Sequence, residues 1–149
     1  MPVTLSDIRA AARRIAGGVI VSPCPPSIPL SEITGAQIAC KLDNFQRTGS
    51  FKERGARNAL LRLPAAAKHR GVIAASAGNH ALGLAYHGRL LGIPVTVVMP
   101  DYPPLIKITT CQRLGATVIG RGQDFAAARA LADDIVATRE LTYSHGFDD

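Results

Sequence analysis

Two short stretches hold residue types whose spacing could do chemistry. The first is RTGSFKERGA, residues 47–56, which sets one lysine, Lys52, directly after a Thr-Gly-Ser-Phe turn at the start of a helical pattern. In FKERGARNALLRLP the positions Ala56, Ala59, Leu60 and Leu63 form an apolar stripe. Lys52, one turn before Ala56, falls on that stripe and is expected to point toward the core side. An apolar setting and the positive end of a helix dipole both work against an ammonium ion. A lysine so placed suits Schiff-base formation and proton transfer, although most lysines snorkel to water. Arg54 and Arg57 lie off the stripe and read as ordinary solvated charges.

The second stretch is SAGNHALG, residues 76–83, a strand end followed by a small-residue turn and a helix start. Backbone N–H groups at such a start bind a carboxylate or phosphate, and Ser76 and Asn79 add side-chain donors. A plain helix cap is the ordinary reading of Asn79, and a structural imidazole that of His80. Neither G-x-G-x-x-G nor the P-loop signature occurs, and S-x-x-K, G-x-S-x-G and H-E-x-x-H are absent. His69, His87 and His145 are dispersed and read as surface or packing residues. Cys24, Cys40 and Cys111 are scattered and odd in number, which fits neither a disulfide framework nor a zinc spacing. No metal site is expected.

The elements that must position these stretches follow from periodicity. Ser6 precedes a helix in DIRAAARRIAGG, with Ile8, Ala11, Ala12 and Ile15 at helical spacing and Gly17 as a stop. SPCPPSIPL reads as an extended linker and AQIACKL as a strand. From residue 71 onward strands and helices alternate: GVIAAS, PVTVVMP, ATVIG and LTYSH are strands, and the segments between them are helices. That alternation, with short continuous apolar strands, predicts a parallel sheet covered by helices on both faces, a small three-layer αβα domain of about four strands. Ligands in such sheets sit beyond the carboxyl ends of the strands.

Composition sets the outer limits. The 149 residues, 47% of them hydrophobic, are enough for a folded core. No run is long enough to span a membrane, and the N-terminus lacks the apolar centre of a signal peptide; a cytoplasmic protein without membrane partners is expected. The formal charge of +6 is scattered, with no aromatics interleaved at its densest group, Arg9, Arg13 and Arg14. Anionic metabolites, not nucleic acid, are the expected partners.

Taken together, KLDNFQRTGSFKERGARNALLRL, GVIAASAGNHALGLAYHGRLLGIPVTVVMP and GATV resemble the threonine dehydratase (threonine ammonia-lyase) and serine racemase family. These are fold-type II enzymes that use pyridoxal 5'-phosphate. The resemblance runs from about residue 6 to residue 149. It implies that Lys52 is the lysine that holds the cofactor covalently and later moves a proton. It implies that Phe51 packs near the cofactor and Asn79 hydrogen-bonds its ring hydroxyl. Ser76, Ala77, Gly78, Asn79 and His80 would form the loop that receives the substrate carboxylate.

The implied reaction is dehydration and deamination of L-threonine, L-serine or both to a 2-oxo acid and ammonia, by a homo-oligomer. A serine racemase or hydroxyaspartate dehydratase relative, and a non-catalytic remnant or interaction module, are the alternatives. Residues 1–65 would begin the larger, cofactor-holding domain, and residues 66–149 would form the smaller α/β domain that closes over substrate. Three positions depart from the family pattern: Asp43 for Glu, Leu82 for Gln, and Gly146 for Pro in the closing SHGFDD. No glycine-rich run suited to the cofactor phosphate occurs, so these 149 residues alone are expected to be inactive. They are also expected to leave Ala56, Leu60 and Leu63 uncovered.

Overall fold

In the computed structural model, residues 2–147 are described; Asp148 and Asp149, the end of the closing motif, lie outside them. The expected alternation after residue 71 is present. Strands β1 Val72–Ala75, β2 Val95–Met99, β3 Thr117–Gly120 and β4 Thr142–Tyr143 pair in parallel, in the order β3-β2-β1-β4. The two central strands are almost wholly buried, and the two edge strands are partly exposed. Seven helices accompany them among the described residues: α1 Leu5–Ile15, α2 Ile28–Thr34, α3 Lys52–Arg62, α4 Ala65–Arg70, α5 Asn79–Leu91, α6 Leu105–Arg113 and α7 Phe125–Arg139.

Alternation of strand side chains sorts the core into two layers. Val72, Ala74, Val95, Val97 and Met99 face α5, α6 and the inner side of α3, in one apolar cluster with Ala56, Leu60, Leu84 and Cys111. Ile73, Ala75 and Val98 face α7 through Ala128 and Ala132. Helices therefore cover both faces, as a parallel sheet requires. Ala56 and Leu60 are buried against α5, at 1% and 0% exposure. The expectation that they stand uncovered is thus wrong; α5 supplies the cover within these residues.

The first 65 residues depart further from expectation. Thr4, not Ser6, caps α1, in a reciprocal capping box with Asp7. Ile8 is exposed, and only Ile15 of the expected stripe is buried. AQIACKL makes one isolated antiparallel bridge, Ala39 to Pro26, instead of a strand. Its partner is the proline-rich linker, whose carbonyls accept from Cys40 and Leu42 at Pro25 and Pro23 but whose prolines have no N–H to return. The linker also ends earlier than its prolines suggest, because Ser27 caps α2 and Pro29 fits the first turn.

Arg54 is not a solvated charge. Its guanidinium grips Asp43 through both oxygens, at 2.7 and 2.9 Å, while Ser22 and Gln46 donate to the same carboxylate. Gln46 also bonds the N–H and carbonyl of Ile20, so residues 20–22, the 3-10 turn Asp43–Phe45 and α3 are fastened together. Arg57 is half-buried against Gly18, where a Cβ would overlap its guanidinium. It reaches His87, which is not a surface residue but has no exposure at all.

Burial first, then the Arg57 and Arg47 charges, push the His87 pKa from 6.5 down to about 4. Since the folded value lies below the unfolded one, the unfolded chain binds the extra proton in that interval. The stability tied to neutral His87 is complete above the unfolded value and is lost as pH falls toward the folded one. The Arg54 guanidinium, opposed by burial and helped by Ser22, holds the Asp43 carboxyl far below its usual range, so its contribution has the same sign at still lower pH. Urea unfolding is expected to give a stability about 2 kcal/mol lower at about pH 5 than at about pH 7.5. His87→Gln should flatten that difference; an equal slope in both proteins would refute the assignment.

Candidate active site

The strand order identifies where a ligand belongs. The chain steps from β1 to β2 to β3 in one direction and then places β4 on the other side of β1. The loops after β1 and β4 therefore diverge, and they open a crevice at the carboxyl ends of those strands. All seven candidates, Phe51, Lys52, Ser76, Ala77, Gly78, Asn79 and His80, line one cavity of about 340 Å³ at this point. A second cavity of about 500 Å³, between α3 and β4, shares Phe51, Lys52 and His80 with it.

Lys52 is the first residue of α3, and Phe51 before it makes no side-chain cap. The buried line of α3 is Glu53, Ala56 and Leu60, with Ala59 and Leu63 half-buried. Lys52 is thus turned one position away from the expected stripe and is half-buried, facing the cavity instead of the core. Its Nζ donates to the Gly146 carbonyl and lies 4.5 Å from the Phe147 ring centroid and 5.4 Å from that of Phe51. The amine donates to one backbone acceptor and lies within cation–π range of two aromatic rings.

Across the cavity, β1 runs into residues 76–78 and α5. Ser76 N–H continues the sheet by donating to Val98, and Gly78 N–H donates to the Ser76 hydroxyl. These two N–H groups, expected to be open to an anion, are thus engaged. Helix geometry leaves the N–H groups of Asn79, His80 and Ala81 without carbonyls to reach inside α5, the type of group that binds anions at helix starts. Gly78 is the N-cap and no side chain caps α5, so Asn79 is not spent on that role. Its carboxamide is exposed and accepts from Lys107 at 3.2 Å. The His80 ring is buried and donates through Nε2 to Ser144, at 3.2 Å, which ties α5 to the segment after β4. Leu82, the departure from Gln, is buried in the apolar cluster, so the back of the loop is hydrophobic.

Several cavity residues are not among the site candidates of the sequence reading. Tyr143, His145, Gly146 and Phe147 follow the last strand, and Arg129 rises from α7. Arg129 lies 4.0 Å over the Tyr143 ring, contacts His145 at 2.8 Å and pairs with Asp133. The rule that ligands gather at strand carboxyl ends applies to LTYSH as much as to GVIAAS, and it would have pointed there. Among the described residues no cluster of metal-ligand type is present, and no helix is long and apolar enough to cross a membrane.

A parallel α/β layer with a lysine facing a helix-start loop across the point where strand order reverses defines a small-molecule site of the α/β enzyme class. The chain belongs to the pyridoxal-phosphate dependent enzyme family (PALP), which it matches over residues 15–149. It is 45% identical over 147 residues to the L-threonine ammonia-lyase of Thermotoga maritima, covering 99% of this chain and 37% of that protein. Among solved structures it resembles the serine racemase of Dictyostelium discoideum, with a TM-score of 0.89 and 31% identity over 99% of this chain and 48% of that one. It also resembles the processed form of threonine deaminase isoform 2 from Solanum lycopersicum, with a TM-score of 0.83 and 34% identity over 99% of this chain and 44% of that one. The chain thus spans less than half the length of these relatives. The fold is that of the fold-type II enzymes.

One glycine sets the distance between the two halves of the site. A Cβ on Gly83 would stand 3.3 Å from both the Lys52 carbonyl oxygen and the Ala56 Cβ. Gly83→Ala must push α5 away from the start of α3 and should lower stability by about 1–2 kcal/mol, read from urea unfolding. An unchanged midpoint would show that the crossing is not tight.

Proposed function

We propose that these residues serve a pyridoxal-phosphate dependent ammonia-lyase that dehydrates and deaminates L-threonine, L-serine or both. The observation that carries this reading is the convergence of Lys52 and the α5 helix start on one cavity, in a chain of this family with relatives named for threonine. The residues present fit the reactive end of the cofactor: an amine held by a backbone carbonyl, two aromatic rings near it, and an asparagine within the same cavity. Lys52 would hold it, Phe51 would pack beside it and Asn79 would bond its ring. Bound there, pyridoxal phosphate supplies a sink for the electron pair left at a substrate carbon.

The chain's own residues account for the other parts of the reaction. The α5 start, with Ser76, Ala77, Gly78, Asn79 and His80, would bind the substrate carboxylate through backbone donors and the helix dipole. With the carboxylate so fixed, the Cα–H bond faces Lys52, whose amine takes that proton. The hydroxyl would leave with a proton as water, and the enamine left behind would take up one water to give the 2-oxo acid and ammonia. A division near residue 65, homo-oligomeric assembly and a cytoplasmic setting belong to the same reading. Serine racemisation is the second reading, favoured by the likeness to the Dictyostelium enzyme.

Incubation with pyridoxal 5'-phosphate, borohydride reduction and peptide mapping should label Lys52 ahead of Lys41 and Lys107. Label on either rival would remove Lys52 from the reading. With the cofactor and L-threonine, the 149-residue protein should form 2-oxobutanoate no faster than free pyridoxal phosphate does. Faster turnover would mean that a second copy completes the phosphate site.

A further inference from the structure

The residue after Lys52 is a fully buried glutamate. Glu53 has no exposure, and Oε2 accepts from both the N–H and the hydroxyl of Thr48, at 2.8 and 3.0 Å. Its other oxygen, Oε1, faces His87 Nε2 at 3.7 Å. Neither of these two atoms has a hydrogen-bond partner. The gap is too narrow for a water and a few tenths of an ångström too wide for a direct bond, so each atom can be satisfied only by the other. On the far side of the imidazole, Arg57 lies 3.4 Å from Nδ1. Arginine only donates, so Nδ1 accepts and the ring proton sits on Nε2, aimed at Glu53.

We propose that Arg57, His87 and Glu53 form a buried positioning chain for Lys52. Arg57 donates to His87, His87 presents Nε2–H to Glu53, and Glu53 fastens the Thr-Gly-Ser turn from which the lysine-bearing helix starts. None of the three lines the cavity with Lys52 and the α5 start, so they act through the placement of Lys52 and touch no substrate. Buried, unpaired carboxylates are costly. This one is retained because it accepts from the turn on one side and is answered by a cation, relayed through a ring, on the other. That Lys52 is the residue so placed for chemistry rests on the function proposed above; the positioning chain itself does not.

The order of donors gives the test. In His87→Gln a side-chain amide donor can face Glu53 while the amide oxygen accepts from Arg57, which preserves the order; His87→Leu removes both contacts. In the 149-residue chain, hydrogen exchange of the Thr48 amide should rise about ten-fold in His87→Leu and return close to the unaltered rate in His87→Gln. Borohydride labelling of Lys52 by pyridoxal 5'-phosphate, relative to Lys41 and Lys107, should fall and recover in the same order. If His87→Leu does not fold, Thr48→Val serves in its place: it removes one donor to Glu53 and should lower the labelling of Lys52 without moving that of Lys41. Equal Thr48 exchange in all folded variants, or no rescue by glutamine, overturns the proposal. A Thr48 response with label elsewhere than Lys52 would uphold the positioning chain and sink the functional reading instead.

Discussion

The close crossing of α3 and α5 is the constraint on which the site depends. Lys52 belongs to the first helix and the facing helix start to the second, so their separation is fixed by how nearly the two backbones approach. Gly83 permits that approach by presenting no Cβ to the Lys52 carbonyl, and Ala56 beside it is the smallest side chain that still fills space. Leu60 and Leu84 then close the apolar side of the contact with no exposure. Packing at this density is stiff, so the lysine is located by the core and not by a loop. The same crossing joins residues 1–65 to the sheet, because the buried side of α3 shares one cluster with β1, β2 and α5.

A crossing made only of alanine and leucine would be simpler and at least as stable, since buried ion pairs seldom repay their desolvation. What apolar residues lack is direction. Glu53 has one oxygen committed to the Thr48 turn and one facing His87, an arrangement that holds at one register of α3 against α5 only. Slipping α3 by one residue would bury Lys52 and expose Glu53, undoing both the site and the charge balance. The polar chain therefore acts against the alternative that the apolar stripe alone would tolerate.

That alternative is what the sequence suggests, and the reason is physical. Ala56, Ala59, Leu60 and Leu63 mark a face, but a face about a hundred degrees wide does not decide between positions 52 and 53 as its upper end. Hydrophobicity assigns the buried place to neither a lysine nor a glutamate. The decision is made by Thr48, Arg57 and His87, the last of them distant in sequence and on another helix. Arg54 escapes a local reading for the same reason: its partner Asp43 lies across a turn, and periodicity carries no information about tertiary partners. Where local pattern suffices, in the alternating segments after residue 71, strands and helices are legible, and so is the placement of Lys52 and Asn79 at helix starts. The bridge between AQIACKL and the linker is not, because alternation in AQIACKL cannot reveal that Pro23, Pro25 and Pro26 beside it have no N–H to donate.

The closing segment shows how one backbone group can belong to both architecture and chemistry. Gly146 stands where the family pattern has proline, and its carbonyl is the acceptor for Lys52. A Cβ there would meet the His80 ring at 3.5 Å, an ordinary contact, so space does not demand glycine. Nor does the loss of an N–H on substitution by proline matter to this bond, which uses the carbonyl. What glycine changes is stiffness: without a ring the segment after β4 has more freedom to carry its carbonyl away. Lys52 must leave that carbonyl before its amine can react with anything else, and the exposed Phe147 ring lies 4.5 Å from that amine. His80, bonded to Ser144 and packed on Gly146, links that release to the helix start that would receive a carboxylate. The buried His80 ring thus connects the start of α5 to the backbone segment whose carbonyl holds the Lys52 amine.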